Sequence, residues 1–125
     1  MYLVDTNVLI LAINKKEPDY SFLQQIIMKN ELHLSVVSVG EFLSRSTFEE
    51  EEELEKLIKN FPVLLVDLET ARLAAEYRKK FLKKKRIQLL DYFIAAQAKL
   101  NNLILITRNI VDFPMKDIKI KMPSR

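Results

Sequence analysis

The chain has 125 residues, 49% of them apolar, with one histidine, no cysteine and a formal net charge of +3. A single domain of ordinary size is expected over residues 1–125, with enough apolar material for a packed core rather than a disordered chain. The missing cysteine excludes disulfides, thiolate metal sites and cysteine nucleophiles; one histidine builds no zinc site; and no apolar run approaches the roughly 18 residues of a membrane span.

In chain order, Tyr2-Leu-Val4 reads as a short strand buried on both faces, because it lacks alternation. Thr6 or Asn7 can start a helix through Ile13, and Asp19 can cap a second one carrying Phe22, Leu23, Ile26 and Ile27. Leu32 to Val36 is a second strand, with His33 expected on its polar face. Ser38 then caps a short helix carrying Phe42 and Leu43. The run Glu49 to Glu53 opens a further helix whose Leu54, Leu57, Ile58 and Phe61 share a face, its acids favoured by the helix dipole. Pro62 ends it, and Val63 to Val66 is a third strand. Glu69 or Thr70 begins a long helix with Leu73, Ala74, Tyr77 and Phe81 on one face. Leu89 to Leu100 is a buried helix, Leu103 to Thr107 a fourth strand, and the alternation from Asp117 to Met122 marks a fifth at an edge. A β-α-α-β-α-α-β-α-α-β-β order implies an α/β fold: a mostly parallel sheet with helices on both faces.

Charge is unevenly spread. Residues 1–70 carry 6 Lys or Arg against 13 Asp or Glu, a balance of −7, whereas residues 71–125 carry 14 against 4, a balance of +10. Seven of the nine residues from Arg78 to Arg86 are basic. Such a stripe attracts a phosphate backbone when it lies near a metal-holding crevice. It is equally what a solvated helix C-terminus looks like.

Three acids stand where a strand or turn meets a helix: Asp5 after Leu3-Val4, Glu41 in Ser38-Val-Gly-Glu41, and Asp91 at the head of an otherwise apolar helix. Asp112 follows the fourth strand in the loop Arg108-Asn-Ile-Val-Asp-Phe113. Segments leaving the carboxyl ends of parallel strands converge on one crevice. Four carboxylates gathered there repel one another unless a cation sits among them, and an all-oxygen site suits Mg²⁺ or Mn²⁺. Metal-dependent phosphodiester hydrolysis is the chemistry expected.

Each acid has a local alternative. Asp5 is a good helix cap, although Asp5, Thr6 and Asn7 together are redundant for capping. Glu41 fits a capping box with Ser38; Gly40 beside it suggests a close approach. Asp91 is favoured in a first turn by the dipole alone, and Asp112 before Phe113-Pro114 is ordinary loop chemistry. A receiver-type phosphoacceptor needs adjacent acids after the first strand, and an Asp-x-Asp phosphatase needs an acid at position 7. Asp5 stands alone, and position 7 is Asn7.

The segments Leu3-Val-Asp-Thr-Asn-Val-Leu9, Ser38-Val-Gly-Glu-Phe-Leu43, Leu90-Asp-Tyr-Phe-Ile-Ala-Ala96 and Thr107-Arg-Asn-Ile-Val-Asp-Phe113 carry a resemblance. They resemble, in order and across residues 3–113, the PIN-domain ribonucleases, and within them the VapC-type toxins of toxin–antitoxin pairs. The resemblance implies a three-layer α/β/α sandwich and a Mg²⁺-dependent endoribonuclease, with Mn²⁺ a substitute. Its acidic quartet maps to Asp5, Glu41, Asp91 and Asp112, with Asp5 and Asp91 expected as direct metal ligands. Thr6, Asn7, Thr107 and Asn109 take its hydroxyl and amide positions and are expected to orient the carboxylates and their waters.

Many relatives carry aspartate where this chain has Asn109, which leaves the fourth acidic role to Asp112. The proline often found before the third acid is also missing. Arg108 and the lysines Lys83, Lys84 and Lys85 are candidates for contacting substrate phosphates. The implied partners are RNA, a small cognate antitoxin and a second copy of the chain in a cytoplasmic homodimer. The alternative, a non-catalytic PIN-like module binding RNA or protein, predicts an eroded acidic set, whereas all four acids are present. No basic region precedes an apolar stretch at the N-terminus, so no signal peptide is expected.

Overall fold

The computed structural model describes residues 1–81 and 88–124. The chain runs β1 (Tyr2–Val4), α1 (Thr6–Ile13), α2 (Asp19–Met28), β2 (Leu32–Ser35), α3 (Val36–Leu43), α4 (Phe48–Asn60), β3 (Val63–Leu64), α5 (Leu68–Lys80), α6 (Leu89–Leu100), β4 (Ile104–Ile106) and β5 (Ile120–Lys121). A single 3₁₀ turn, Ile110–Asp112, lies between β4 and β5. The five strands form one sheet in the order β3-β2-β1-β4-β5, and every pair is parallel. Lys83, Lys84, Lys85 and Arg86 lie outside the described residues. No helix among those described is long and apolar enough to cross a membrane.

Successive strand residues point to opposite faces, and the two faces hold two cores. Leu3 and Leu105 pack with Ala74, Tyr77, Tyr92 and Ile94 of α5 and α6. Val4, Ile106, Leu32 and Leu34 pack with Val8, Phe22, Phe42 and Leu54 of α1 to α4. Both faces are therefore covered, giving the three layers expected. Coverage on both sides also removes the polar face foreseen for His33: it is half-buried, and its Nδ1 is buried without a hydrogen-bond partner among the described residues. The sheet's edges are two-residue strands, which gives a neighbouring chain little backbone to pair with.

The chain moves from β1 through β2 to β3 on one side, then returns to build β4 and β5 on the other. The order reverses between β1 and β4, and in open α/β sheets ligands bind at such a reversal, outside the carboxyl ends of the strands. Asp5 and Thr107 are the residues immediately past those two ends.

Several helix starts differ from the sequence reading. Ser35, not Ser38, caps α3, accepting from the Val37 N–H at 3.1 Å. Ser38 lies inside the helix, fully buried, its hydroxyl without a partner among the described residues. Pro18 precedes α2 with no side-chain cap, so Asp19 does not serve as one. Thr47 and Glu50 form the capping box of α4, and Asp67 caps α5. Gly40 is exposed, and a Cβ there meets nothing within 4 Å, so no neighbouring segment of the chain requires glycine at that position. Helix ends need left-handed residues, and with so little glycine Lys15, Asn30 and Asn102 supply them at φ 58°, 56° and 53°.

Candidate active site

Asp5 ends β1 and caps α1. Its Oδ1 accepts from the Thr6 N–H at 2.8 Å, and its Oδ2 accepts from Thr107 Oγ1 at 2.9 Å. The backbone is pinned as well, since the Asp5 N–H donates to the Ile106 carbonyl at 2.9 Å. Capping and site membership are thus compatible: one oxygen serves the helix, the other meets the β4 loop. Asp5 is 7% exposed and Thr107 is fully buried. The Asn109 N–H donates to Thr107 Oγ1 at 3.1 Å, fixing the hydroxyl that orients Asp5.

Glu41 does not close a capping box. Its Oε1 accepts from Thr6 Oγ1 at 2.7 Å, across 35 residues of sequence. Thr6 therefore links α1 to α3 by its hydroxyl while its amide holds Asp5. The box-like contact belongs to Asp91, whose Oδ2 accepts from the Gln88 N–H at 3.3 Å. Asp112 closes the 3₁₀ turn, partly buried. Asn7 and Asn109 are exposed.

Electrostatics ties the four acids together. Burial pushes the Asp5 carboxyl above its ordinary range, outweighing the Thr6 and Thr107 hydrogen bonds that pull it down, and the charges of Glu41 and Asp112 raise it further. Asp91 is pushed up to about 6, first by burial, against the Gln88 hydrogen bond, and then by Asp5, Asp112 and Glu41. These are like charges sharing a desolvated crevice. An all-carboxylate, hydroxyl-lined donor set fits a hard divalent cation. No three acids or histidines among the described residues stand at ready ligating spacing; Glu41 and Asp91 are turned to Thr6 and Gln88. Mg²⁺ keeps several of its waters and takes only one or two protein carboxylates directly, so a full cage is not required.

The raised Asp91 has a consequence for stability. Unfolded, it ionises near 3.8; folded, near 6. Below about pH 4 both states are protonated and folding carries no penalty. Between those values only the unfolded chain ionises, so stability falls as pH rises and the loss is complete above about 6. Partial exposure keeps the effect small through solvent screening. Melting in chelator from pH 4 to 7 is expected to show this decline, and Asp91→Asn to flatten it. Identical slopes in the two proteins count against a raised Asp91.

Arg108 is not a free surface arginine. Its Nε lies 3.1 Å from both Asp19 oxygens and its Nη2 is 2.8 Å from Oδ1, and Asp19 is fully buried. The pair clamps the loop after β4 to the start of α2, between Thr107 and Asn109, so the guanidinium expected to meet a phosphate is largely committed within the chain. Sequence reading missed this pair, having read Asp19 as a cap. It also missed Gln97, the lone polar residue in Ile94-Ala-Ala-Gln-Ala98, which is fully buried. Gln97 Oε1 accepts from Ser35 Oγ at 2.5 Å, and Nε2 donates to the Leu64 and Leu65 carbonyls at 3.1 and 3.2 Å. A solitary amide in an apolar helix was the available signal.

The chain is similar to known proteins in family and fold. The PIN domain family model matches residues 2–115. Ribonuclease VapC10 of Mycobacterium tuberculosis is 33% identical over 116 residues, covering 92% of this chain and 87% of that protein. VapBC2 from Rickettsia felis, crystallised with a DNA fragment from its promoter, superposes with a TM-score of 0.78 at 23% identity, covering 97% of both chains. FitAcB from Neisseria gonorrhoeae superposes at 0.73 with 25% identity, covering 98% of both. With the family's fold present and its sequence pattern matched over nearly the whole length, this chain belongs to the PIN domain family, as a relative of ribonuclease VapC10.

Proposed function

We propose that the chain, acting as one nuclease unit over residues 1–125, is a Mg²⁺-dependent endoribonuclease and the toxin of a toxin–antitoxin pair. The observation that carries this reading is the buried Asp5, locked by Thr6 and Thr107 at the sheet's reversal point and sensing the charges of Glu41 and Asp112. Asp5 and Asp91 would hold the cation, and Glu41 and Asp112 would act through water or a second ion. The chemistry that Mg²⁺ would supply there is Lewis acidity, which would acidify a water and offset charge on a phosphate. Thr6 fixes one oxygen of Glu41, leaving the other to accept from a water. Thr107, itself fixed by the Asn109 amide, sets the angle of the Asp5 carboxylate. Asn7, exposed two residues past Asp5, orients water beside the carboxylates. The toxin role is supported by the kinship with VapC10 and the likeness to VapBC chains; it brings with it a small antitoxin, a homodimer and a cytoplasmic setting. The basic stripe through Lys83, Lys84 and Lys85 tracks the RNA backbone.

The test is cleavage of single-stranded and transfer RNAs by the purified chain. Internal cuts are expected with Mg²⁺ or Mn²⁺, lost in chelator and restored by either ion. RNA that is bound but never cut, in either ion, leaves a binding module in place of a nuclease.

A further inference from the structure

A cavity of about 310 Å³ is lined by Asn7, Ile10, Phe42, Arg45, Ser46 and Glu50, of which Asn7 lies two residues past Asp5 and Phe42 directly follows Glu41. Its walls come from α1, the end of α3, the following turn and the first turn of α4. Glu50 is immobilised there: Oε2 accepts from Asn14 Nδ2 at 2.8 Å and Oε1 from the Thr47 N–H at 2.9 Å. Those bonds, the one from Asn14 foremost, hold its carboxyl below the usual range. Arg45 differs: it is exposed, and its guanidinium has no hydrogen-bond or ion-pair partner among the described residues.

Position along the chain relates this cavity to the chemistry. Asn7 follows Asp5 by two residues. Arg45 lies two residues past the end of α3, its N–H bonded back to the carbonyl of Phe42, the neighbour of Glu41. A phosphodiester seated among the acids therefore has its neighbouring nucleotide beside Arg45. The volume lies at the small end of ligand pockets, enough for one ring system. Ile10, half-buried, gives the apolar floor above the buried Phe42, with Asn7, Ser46, the guanidinium and the fixed Glu50 carboxylate as polar groups. Unpaired bases are read by such a combination of stacking surface and edge donors. Arginine's paired donors match the two acceptors O6 and N7 of guanine. The larger cavity, about 570 Å³ on α4, is lined by Phe48, Ile58, three glutamates and the two lysines Lys56 and Lys59, a net negative wall that attracts a polyanion less.

We propose that the Arg45 cavity is a nucleobase subsite for the nucleotide next to the cut bond, and that Arg45 selects guanine there. This rests on the ribonuclease reading. It is tested with short single-stranded oligoribonucleotides that differ only in whether one position carries guanine. Cleavage is measured in Mg²⁺ and binding in Ca²⁺, for the wild-type chain and Arg45→Ala. The wild type is expected to favour guanine at one position beside the cut by about tenfold, the scale of one good bidentate contact. Arg45→Ala is expected to bring the ratio close to one, in cleavage and binding alike.

A wild type indifferent to guanine, or a preference that survives in Arg45→Ala, overturns the subsite while leaving the nuclease intact. Guanine-selective binding that Arg45→Ala abolishes, with no cleavage by the wild type in Mg²⁺ or Mn²⁺, sustains the subsite and sinks the hydrolase. Loss of a co-purifying antitoxin in Arg45→Ala with RNA preference unchanged assigns the cavity to a protein partner and overturns the proposal.

Discussion

Asp5→Asn and Asp91→Asn are each expected to lower Mg²⁺-dependent RNA cleavage by at least about a hundredfold, because loss of even an outer-shell partner of a metal site costs about 10- to 100-fold. The fold is expected to survive both. Asparagine caps a helix as well as aspartate, and the Thr107 hydroxyl has lone pairs with which to accept from the new amide. Both carboxyls are raised by burial and by their neighbours' charges, so each neutral isostere removes a cost of folding at neutral pH. Melting in chelator is thus expected to stay level or rise while activity disappears. Cleavage near the wild-type rate in either variant removes that residue from the ligand set. Collapse of the fold in chelator instead makes it a structural acid.

Gln97→Leu is expected to destabilise the chain by about 2–4 kcal/mol, because each buried polar group left unpaired costs about 1–3 kcal/mol. The substitution keeps the side chain's approximate volume and removes three hydrogen bonds at once, to Ser35 and to the Leu64 and Leu65 carbonyls. Those bonds tie α6 to the carboxyl ends of β2 and β3. Ser35 also caps α3, the helix that carries Glu41, and Asp91 lies on α6 itself. Activity is expected to fall beyond what the lost stability explains, with RNA binding retained. Denaturant unfolding measures the first effect, and cleavage of the folded variant the second. A stability change below about 1 kcal/mol, the net worth of a single typical hydrogen bond, rules out this network as a brace.

The order of elements was legible from sequence because periodicity and punctuation are local. Leu54, Leu57 and Ile58 share one helical face wherever that helix packs, and Pro62 ends it in any fold. Strand β1 lacks alternation because a doubly covered parallel strand buries both faces. The same logic put Asp5 and Thr107 at strand ends, and the pattern around them resembled a known family before any contact was visible.

Tertiary structure decided which partner each polar group took. Ser38-Val-Gly-Glu41 is a good capping box by spacing, yet α3 starts three residues earlier. Glu41 then turns to Thr6, which the β1–α1 connection delivers from 35 positions away. Asp19 looks like a cap beside Pro18, but it is buried and bound by Arg108, 89 residues later. Gln97 meets β2 and β3 only because α6 crosses the sheet above them. Such pairings depend on strand order and on the placement of crossover helices, which arise from packing the whole chain. A local window sets how a segment folds; the register of distant strands sets what its side chains meet.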